Sequence, residues 1–341
     1  MQAHDERRGD GRGPAVESRS ASGINEDERD GAAVQQAFPA LWRHVRPTTV
    51  EEFAHQAERD FSAILDYYRV RWAYEPTSFP LVWGEDGRPA EMFTPDFYLP
   101  DHRLYIEMTT MRQSLVTRKN RKLRRLRELY PDIRIKLLYR RDYLQLVDVF
   151  LRPLGGGRDE TPGKVVFDVE TISKRLDELA GEIAAAERDE AYGPLVVLVA
   201  SAGAERFAND LRARLAAEGV ELEWDVVRLS RARADYRAGH ARLRERPKIN
   251  LANRRVLLVT DVVSTGLSMD FLIRWLVRQQ VRETAIATLL NRPDARITPV
   301  PVKFSAFIAP NDLVVGYGLH LRRRFADLNY IATLTTVPKE G

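Results

Sequence analysis

The sequence predicts an α/β protein in two parts, and three observations lead to this prediction. Residues 256–259 form a short apolar run closed by turn residues, and the apolar residues after Ser268 repeat at helical spacing. Residues 104–109 alternate as a half-buried strand does, and a stretch of helical periodicity follows them. Between these regions, the glycine-rich stretch 154–163 has the composition of a linker. The pattern therefore predicts strand, loop and helix units in two separate domains.

The composition excludes several classes of protein. The chain has 341 residues, of which 44% are hydrophobic and 30% charged, and it has no cysteine. This length suits about two domains, and the lack of cysteine excludes disulfides and thiolate metal sites. Because no apolar stretch approaches the roughly 20 residues that a membrane span needs, we expect no membrane association and a cytoplasmic protein. A net charge of +4 is too small to predict nucleic-acid binding by the chain as a whole.

The expected domain boundaries follow from shifts in composition. The first residues, to about Ala37, are rich in charged and small side chains and contain no apolar signal segment, which predicts a disordered tail. The predicted boundaries are residues 1–45 for the tail, 46–151 for the first domain, 152–163 for the linker and 164–341 for the second domain.

The loop between the predicted strand and helix of the second domain is the candidate ligand site. Backbone amides of Ser264, Thr265 and Gly266 would face outward at a helix N-terminus, where unpaired donors and the helix dipole hold a phosphate. Asp261 follows the strand at its carboxyl end, where open α/β sheets place their ligand crevice. One carboxylate there can hold a sugar diol or a hydrated Mg²⁺. The alternative interpretation is an ordinary turn between a strand and a helix.

This loop resembles the phosphoribosyl diphosphate signature of type I phosphoribosyltransferases, and the resemblance extends across about 164–338. The segments 165–179 and 195–211 are similar to the family's first two strand and helix units, with the diphosphate loop in the second. The segments 289–293 and 312–319 resemble the base-binding part of hypoxanthine-guanine phosphoribosyltransferase. The resemblance implies the type I phosphoribosyltransferase fold, a parallel sheet flanked by helices with a small hood.

The function implied by this resemblance belongs to purine salvage: transfer of a 5-phosphoribosyl group from phosphoribosyl diphosphate to a nucleobase, with Mg²⁺ on the leaving diphosphate. Asp261 and Ser264 take the catalytic positions, and Asp261 also takes the metal position. The implied substrate-binding residues are Thr260, Asp261, Ser264, Thr265, Gly266, Leu267, Ser268, Ala202, Gly203, Arg292, Leu313, Val314 and His320. Among these, Leu313 would stack on the base, Val314 would meet its edge, and Arg292 stands where the family has a lysine.

Several positions depart from the family pattern. Thr260 replaces the first of two adjacent acids, and Ser264 replaces an aspartate that moves a proton near the base. Ala202, His320 and Ala326 replace a lysine, an aspartate and an arginine. Because loss of one acid–base group typically costs about 10²–10⁴-fold in rate, these replacements predict altered or reduced activity. Arg322, Arg323 and Arg324 lie within one helical turn of position 326 and are candidate replacements for the lost arginine. The arginine-rich segment 228–247 matches the family's mobile loop.

The first domain is predicted to begin with a helix. Thr48 with Glu51, or Thr49 with Glu52, has the pattern of a capping box. The apolar stripe of this helix contains Ala54, Phe61, Leu65 and Tyr68. Glu58 falls on the same stripe, where a carboxylate needs a partner or a metal ion.

The predicted order of this domain, helix, three strands, helix and strand, resembles the PD-(D/E)xK core of restriction-endonuclease-like proteins. Pro95 with Asp96, and Glu107 to Thr109 in place of Glu-x-Lys, carry the resemblance. In that family the carboxylates hold Mg²⁺ and the lysine orients the attacking water. Thr109 cannot supply a positive charge, which leaves Gln113 and Lys119 of the next helix as candidates. The N-terminal candidate site is therefore Glu58, Asp96, Glu107, Thr109 and Lys119.

The second predicted helix of this domain, residues 114–130, is strongly basic. Seven Lys or Arg residues fall within ten positions on its polar surface, between Arg118 and Arg127. Such a face favours contact with a polyanion such as nucleic acid. A solvated face, or an ion-pair network with Glu58, Asp96 and Glu107, is the alternative.

Two functions of different classes remain open from the sequence. The first is a purine-type phosphoribosyltransferase. The second is a module that senses a nucleotide or phosphoribosyl diphosphate and controls the attached nuclease-like domain. The family resemblance also implies a homo-oligomer.

Overall fold

The computed structural model describes residues 53–109, 113–140, 143, 159–187, 193–230, 239–320 and 324–337. The predicted tail, residues 152–158 of the predicted linker and residues 231–238 of the predicted mobile loop lie outside the described residues. All of the described residues belong to one compact unit. None of their helices is long and apolar enough to cross a membrane.

The N-terminal part, residues 53–139, contains among its described residues a helix, five strands, a second helix and a further strand, whereas the sequence analysis predicted three strands between the two helices. The elements are α1 (Gln56–Tyr67), β1 (Ala73–Tyr74), β2 (Phe79–Trp83), β3 (Pro89–Phe93), β4 (Phe97–Leu99), β5 (Leu104–Thr109), α2 (Gln113–Leu129) and β6 (Ile135–Tyr139). Strands β1, β4, β5 and β6 form one sheet in this order, in which β6 is parallel to β5, while β2 and β3 form a separate hairpin.

The start of α1 differs from the prediction. The helix begins at Gln56 with His55 as its N-cap, and the Glu58 carboxylate accepts a hydrogen bond from the His55 amide at 3.2 Å. Ala54 is exposed and precedes the helix, so it is not part of the apolar stripe, whereas Phe61 and Leu65 are fully buried as predicted. The capping box predicted at residues 48–52 lies outside the described residues. Glu58 therefore has a structural role in closing the first turn of the helix.

The C-terminal part, residues 159–337, contains the predicted parallel sheet. The elements are β7 (Asp159–Phe167), α3 (Val169–Ala186), β8 (Leu195–Val199), α4 (Glu205–Ala217), β9 (Leu222–Val226), β10 (Arg228–Leu229), β11 (Leu243–Glu245), β12 (Arg255–Val263), α5 (Leu267–Arg278), β13 (Glu283–Asn291), β14 (Val302–Ile308), β15 (Val314–Val315) and β16 (Ile331–Val337). The strand order of the parallel sheet is β14, β13, β12, β8 and β9, with all neighbours parallel. Strands β15, β16 and β7 form a small antiparallel sheet.

The position of strand β7 differs from the predicted boundary between the linker and the second domain. Residues 159–163 were assigned to the linker, but they are the first residues of β7 and pair with the end of β16. Thr161 lies opposite Thr335, and Pro162 lies opposite Leu334. The backbone pairing with β16 makes this segment a strand, although its glycine and proline suggest a linker.

Helices cover both faces of the parallel sheet and bury its apolar side chains. Helices α3 and α4 pack on one face, while α5 packs on the other. The predicted stripe of α3 is confirmed, because all four of its residues are buried. They are Ile172, Leu176, Leu179 and Ile183.

The two parts of the chain share an apolar core. Leu267 at the start of α5 and Ile297 after β13 belong to the same buried cluster as Phe61, Leu65 and Phe97 of the N-terminal part. Both shared residues have only 1% of their surface exposed. The helix that follows the predicted phosphate loop is therefore packed directly against the N-terminal part.

Candidate functional sites

The predicted phosphate loop lies at the carboxyl end of β12, in the middle of the parallel sheet. Gly266 is the N-cap of α5 and has a φ of 84°, which a residue with a side chain rarely adopts. A Cβ atom on Gly266 would also lie 2.6 Å from the Thr298 carbonyl oxygen. Glycine is therefore required where the strand turns into the helix.

The amides of this loop have the orientation that an anion site requires. No described residue accepts a hydrogen bond from the amides of Ser264, Thr265 or Gly266. The Thr265 carbonyl faces the opposite way and accepts bonds from the amides of Ile297 at 2.8 Å and Thr298 at 3.1 Å. Fixing the carbonyl leaves the amide side of the loop open at the positive end of the helix dipole.

The Asp261 carboxylate lies beside this loop and is held on one side. Its Oδ1 accepts hydrogen bonds from the Ser201 hydroxyl at 2.9 Å, the Val262 amide at 2.9 Å and the Thr260 hydroxyl at 3.3 Å. A Cβ atom on Gly203 would overlap Asp261 Oδ2, so the carboxylate lies directly over the 201–204 loop. Oδ1 is thus occupied by protein donors, which leaves Oδ2 to meet a ligand.

The turn after β15 closes the site from the side of the small sheet. A Cβ atom on Gly318 would lie 2.5 Å from the Gly203 carbonyl oxygen, so this turn packs on the 201–204 loop. His320 follows it and is half-buried, and its Nδ1 is buried without a hydrogen-bond partner among the described residues. The loops that carry Gly203, Asp261 and His320 are therefore neighbours.

The remaining predicted residues occupy different environments. Arg292 is linked to the end of β12, because its backbone amide donates a hydrogen bond to the Val263 carbonyl at 2.9 Å. Leu313 has 46% of its surface exposed, as a side chain that stacks on a ligand would require. Val314 pairs with Thr333 in the small sheet.

Other predicted positions have their side chains turned inward or held elsewhere. Thr260 has only 2% of its surface exposed, and Leu267 only 1%, so Leu267 can reach a ligand only through its amide. Ala202 lies in a short 3-10 turn and offers no polar side chain, while Ser268 is half-buried in the first turn of α5. Arg324 donates to the Glu160 carbonyl at 3.1 Å, so its described contact lies on β7.

Two residues that the sequence analysis did not single out also contact the site. The Ser201 hydroxyl holds Asp261, and Arg296 donates through Nη2 to Asn291 Oδ1 at 2.5 Å and to the Val263 carbonyl at 3.4 Å. The Ser201–Asp261 and Arg296–Val263 contacts join residues that are 60 and 33 positions apart in the chain. A serine after the β8 strand was the only local signal for the first of them.

The N-terminal candidate site contains a buried ion pair. Lys119 of α2 reaches Glu107 of β5 with its Nζ 2.5 Å from Glu107 Oε1, and it also donates to the Met108 carbonyl at 2.7 Å. Asp96 lies beside them, because its Oδ2 accepts a hydrogen bond from the Met108 amide at 2.6 Å. Lys119 therefore supplies the positive charge that Thr109 cannot.

Burial and mutual repulsion alter the titration of the two acids. Burial, with the nearby Glu107 charge, raises the pKa of Asp96 to about 8. Burial also raises the pKa of Glu107, although Lys119 opposes this shift. Burial therefore favours the protonated form of Asp96.

Glu58 and Thr109 do not complete a metal centre with these acids. The Glu58 carboxylate is bound by the Tyr74 hydroxyl at 2.7 Å and by the His55 amide. Thr109 Oγ1 is buried without a hydrogen-bond partner among the described residues. Within the described part of the chain, no group of three or more His, Asp or Glu residues could hold a metal ion.

A small basic cavity opens next to Glu107. Its volume is about 300 Å³, and its lining includes Thr94 and three cationic side chains of α2. These are Arg118, Lys119 and Lys122. The predicted basic face of α2 therefore borders the carboxylate pair, although Lys122 is also 3.3 Å from Glu91.

A parallel sheet with an amide loop and a carboxylate at its carboxyl edge defines a phosphate-ester-binding protein of the α/β class. The family model of the phosphoribosyl transferase domain matches residues 168–314. Hypoxanthine-guanine phosphoribosyltransferase of Mycobacterium avium is 36% identical over 173 residues, which cover 50% of this chain and 84% of that protein. The chain belongs to the phosphoribosyltransferase family, and the prediction of an enzyme of this class is confirmed.

Two further comparisons match the chain at lower sequence identity. Bifunctional protein TilS/HprT of Listeria innocua is 27% identical over 199 residues, which cover 58% of this chain and 30% of that protein. A solved structure of Trypanosoma cruzi hypoxanthine phosphoribosyl transferase aligns with a TM-score of 0.48 and 24% identity, over 51% of this chain and 92% of that chain.

Proposed function

We propose that this chain transfers the 5-phosphoribosyl group of phosphoribosyl diphosphate to a ring nitrogen of a purine base. The observation that carries the proposal is the open row of amides at 264–266 next to the Asp261 carboxylate. The similarity to a relative named hypoxanthine-guanine phosphoribosyltransferase supports a purine base as the acceptor of the phosphoribosyl group.

The proposed roles follow from the direction of each group. The amides of Ser264, Thr265, Gly266 and Leu267 bind the 5-phosphate at the helix N-terminus. Asp261 Oδ2 accepts hydrogen bonds from the ribose hydroxyls, since Oδ1 is already occupied by protein donors. Binding the sugar at both ends fixes its reacting carbon relative to the base.

In the proposed reaction, the bond between the sugar carbon and the diphosphate oxygen breaks, and its electron pair leaves on diphosphate. The lone pair of the base nitrogen forms the new bond, and the base loses a proton to solvent. The negative charge of Asp261 stabilises the cation-like sugar. Ser264 is a poor proton acceptor, so we expect a lower rate than an acid at this position would give.

The base is proposed to bind on the exposed side of the small sheet. Leu313 stacks on the ring, and Val314 meets its edge through backbone groups. The Arg292 guanidinium donates to the exocyclic oxygen, with a geometry that differs from that of an ammonium group. His320 lies on the turn beside these residues.

The residues present fit Mg²⁺ that is carried mainly by the substrate. Mg²⁺ commonly uses one or two carboxylates together with substrate phosphates. Asp261 has a hydroxyl neighbour, Thr260, instead of a second acid, and its Oδ2 is the oxygen that would contact the ion. When bound, the ion would neutralise charge on the leaving diphosphate.

Diphosphate release tests this proposal. The protein is incubated with phosphoribosyl diphosphate, Mg²⁺ and hypoxanthine or guanine, and the Asp261→Asn variant is compared with it. We expect release that falls by about 100-fold or more in the variant, because a preorganised charge is lost. Asp177→Asn, on the exposed surface of α3, serves as the matched control and should retain the native rate. No release with any purine base would contradict the proposal.

We also propose that the N-terminal part is a nuclease-like domain that binds nucleic acid along the basic face of α2. The order of its elements supports this proposal, as does the set of Asp96, Glu107 and Lys119 beside a basic cavity. Mg²⁺ would be held there by the Asp96 and Glu107 carboxylates. Metal-dependent cleavage of plasmid or RNA should therefore vanish in Asp96→Ala. Equal cleavage by that variant would contradict a nuclease function.

A second candidate function is sensing, in which a ligand of the transferase site controls the N-terminal part. The contacts at the ends of the predicted mobile loop favour it. The Tyr67 hydroxyl donates to the Ser230 carbonyl at 2.8 Å, and the Ala241 amide donates to the Tyr67 carbonyl at 2.7 Å. Movement of that loop would therefore act on α1. Tight binding of phosphoribosyl diphosphate without diphosphate release from any nucleobase would favour sensing over catalysis.

The family resemblance also leads us to propose a homo-oligomer that acts in the cytoplasm. Relatives in this family usually assemble as dimers or tetramers. Analytical ultracentrifugation of the full chain would test the assembly, and a sedimentation coefficient of a monomer would contradict it.

A further inference from the structure

A second, larger cavity lies between the N-terminal part and the segment after β13. Its volume is about 560 Å³, and its lining contains four basic residues and no acidic residue. The basic residues are Arg127, Arg134, Lys136 and Arg296. We propose that this cavity binds a nucleotide, with its phosphates against the basic side chains and its base against the apolar side chains.

The described contacts of the cations from the N-terminal part are to carbonyl groups. Arg127 donates to the Ile135 carbonyl at 3.3 Å, and Arg134 donates to the His102 carbonyl at 3.3 Å. Neither arginine forms an ion pair with a carboxylate of the described residues. Their charge is therefore not neutralised by these contacts and attracts an anion.

Arg296 adds a cation that is already partly removed from water. Burial lowers the pKa of its guanidinium, and Nη1 is buried without a hydrogen-bond partner among the described residues. Because Nη2 is bound to Asn291 and to the Val263 carbonyl, Arg296 contributes to the cavity through its positive charge and not through a hydrogen bond to the phosphate.

The rest of the lining fits the base of a nucleotide. It is apolar, and its accessible part consists of the exposed Pro131 and Pro299 and the half-buried Ile133, while Leu104 and Ile297 are buried. The cavity falls within the roughly 300–1,000 Å³ that small-ligand sites occupy. Inorganic phosphate or a nucleic-acid backbone would use the basic side chains but would leave this apolar surface uncovered.

The cavity is separate from the transferase site but shares a wall with it. Ile297 lines the cavity, while the amides of Ile297 and Thr298 hold the Thr265 carbonyl of the phosphate loop. Lys136 holds the same segment from the other side, since its Nζ donates to the Asp294 carbonyl at 2.5 Å and to the Arg296 carbonyl at 2.6 Å. A nucleotide in the cavity therefore binds behind the loop and leaves the open amides free.

Equilibrium dialysis with radiolabelled ADP tests this proposal. Saturating phosphoribosyl diphosphate and Mg²⁺ occupy the transferase site, so that bound ADP reports the second cavity. The native chain should bind one ADP, and the affinity should fall by about tenfold or more in the double variant Arg127→Gln with Arg134→Gln, because two charged donors are lost. Thermal unfolding of both proteins checks that the variant is folded.

Matched changes outside both the cavity and the basic face of α2 provide the control. Arg88→Gln with Arg278→Gln removes the same charge from two exposed positions that do not line the cavity. This control should bind ADP as the native chain does. Equal ADP affinity in all three proteins, or no ADP binding once phosphoribosyl diphosphate is saturating, would overturn the proposal. If the double variant loses affinity only for a short single-stranded oligonucleotide, the cavity binds nucleic acid and the nucleotide assignment is wrong.

Discussion

The two candidate sites differ in the groups that carry their chemistry. In the C-terminal part, the loop at 264–266 offers backbone amides, and the positive φ of Gly266 sets its shape. Gly203 lies against the Asp261 carboxylate, where a side chain would not fit. In the N-terminal part, the corresponding groups are buried side chains. Glu107 pairs with Lys119, and Asp96 accepts a hydrogen bond from the Met108 amide. A site made of backbone tolerates changes in its side chains, whereas a site of buried charges does not.

This difference bears on positions 260 and 264, where the resemblance described in the sequence analysis implies acids. In this chain the Thr260 hydroxyl contacts Asp261, and the amides of residues 264–266 have no acceptor among the described residues. No equivalent tolerance exists around Glu107, since removal of one partner leaves a charge in a buried position.

The largest effect is expected from breaking the buried ion pair. Lys119→Met should lower the free energy of unfolding by about 3 kcal/mol, because Glu107, with 4% of its side chain exposed, loses its counter-charge. Lys122→Met, which loses the more exposed contact with Glu91 and a hydrogen bond to the Met92 carbonyl, should cost less, about 1 kcal/mol. Urea unfolding at pH 7 measures both. Equal effects would show that burial of the pair does not matter.

The loop should be sensitive to backbone geometry. Gly266→Ala places a Cβ atom against the Thr298 carbonyl at a positive φ, so the loop must shift. We expect the affinity for ribose 5-phosphate to fall by about tenfold or more, as the loss of well-oriented charge-assisted hydrogen bonds predicts. Gly181→Ala, at an open position of α3, should leave this affinity unchanged. Isothermal titration calorimetry compares the two, and native affinity in Gly266→Ala would refute the requirement for glycine.

The pH dependence of stability should report Asp96. Its pKa rises on folding from 3.8 to about 8, so the folded state binds more protons than the unfolded state between these values. The free energy of unfolding of the native chain should therefore fall as pH rises through this window. Asp96→Asn removes this residue's share of the effect, leaves that of Glu107, and should be more stable than the native chain above pH 8, by more than about 1 kcal/mol. Identical pH profiles in chemical denaturation would contradict the raised pKa.

The smallest effect is expected at the junction of the two parts. Tyr67→Phe removes a hydroxyl that contacts the Ser230 carbonyl and should cost about 1 kcal/mol of stability. Tyr139→Phe, at a side chain with 43% of its surface exposed, is the milder comparison and should cost less than about 0.5 kcal/mol. Differential scanning calorimetry would measure both changes. No difference between the two variants would argue against a structural link through Tyr67.

The sequence predicted the backbone-built site better than the side-chain site. Strand, small-residue loop and helix are adjacent in the chain, so residues 256–276 carry their own local signal. The partner of Glu107 could not be chosen between Gln113 and Lys119, because the choice depends on how α2 lies across β5. Long-range contacts such as Ser201 with Asp261 leave no periodic trace in the sequence.

The start of α1 was missed for a related reason. His55 is not a favoured N-cap residue, and the capping depends on Glu58, which the sequence analysis interpreted as a helix acid of a nuclease site. The first residues of β7 were likewise assigned to a linker, since only their pairing with β16 makes them a strand. In both cases, contacts beyond the local pattern decided the structure.

The central claim is that the amides after Val263 bind the sugar's phosphate while Asp261 holds the ring. Backbone amide NMR during titration with ribose 5-phosphate tests it most directly. The account predicts saturable downfield proton shifts at Ser264, Thr265 and Gly266, and a weaker affinity in Asp261→Asn with the same three amides still responding. Binding that leaves these three resonances unmoved would contradict it.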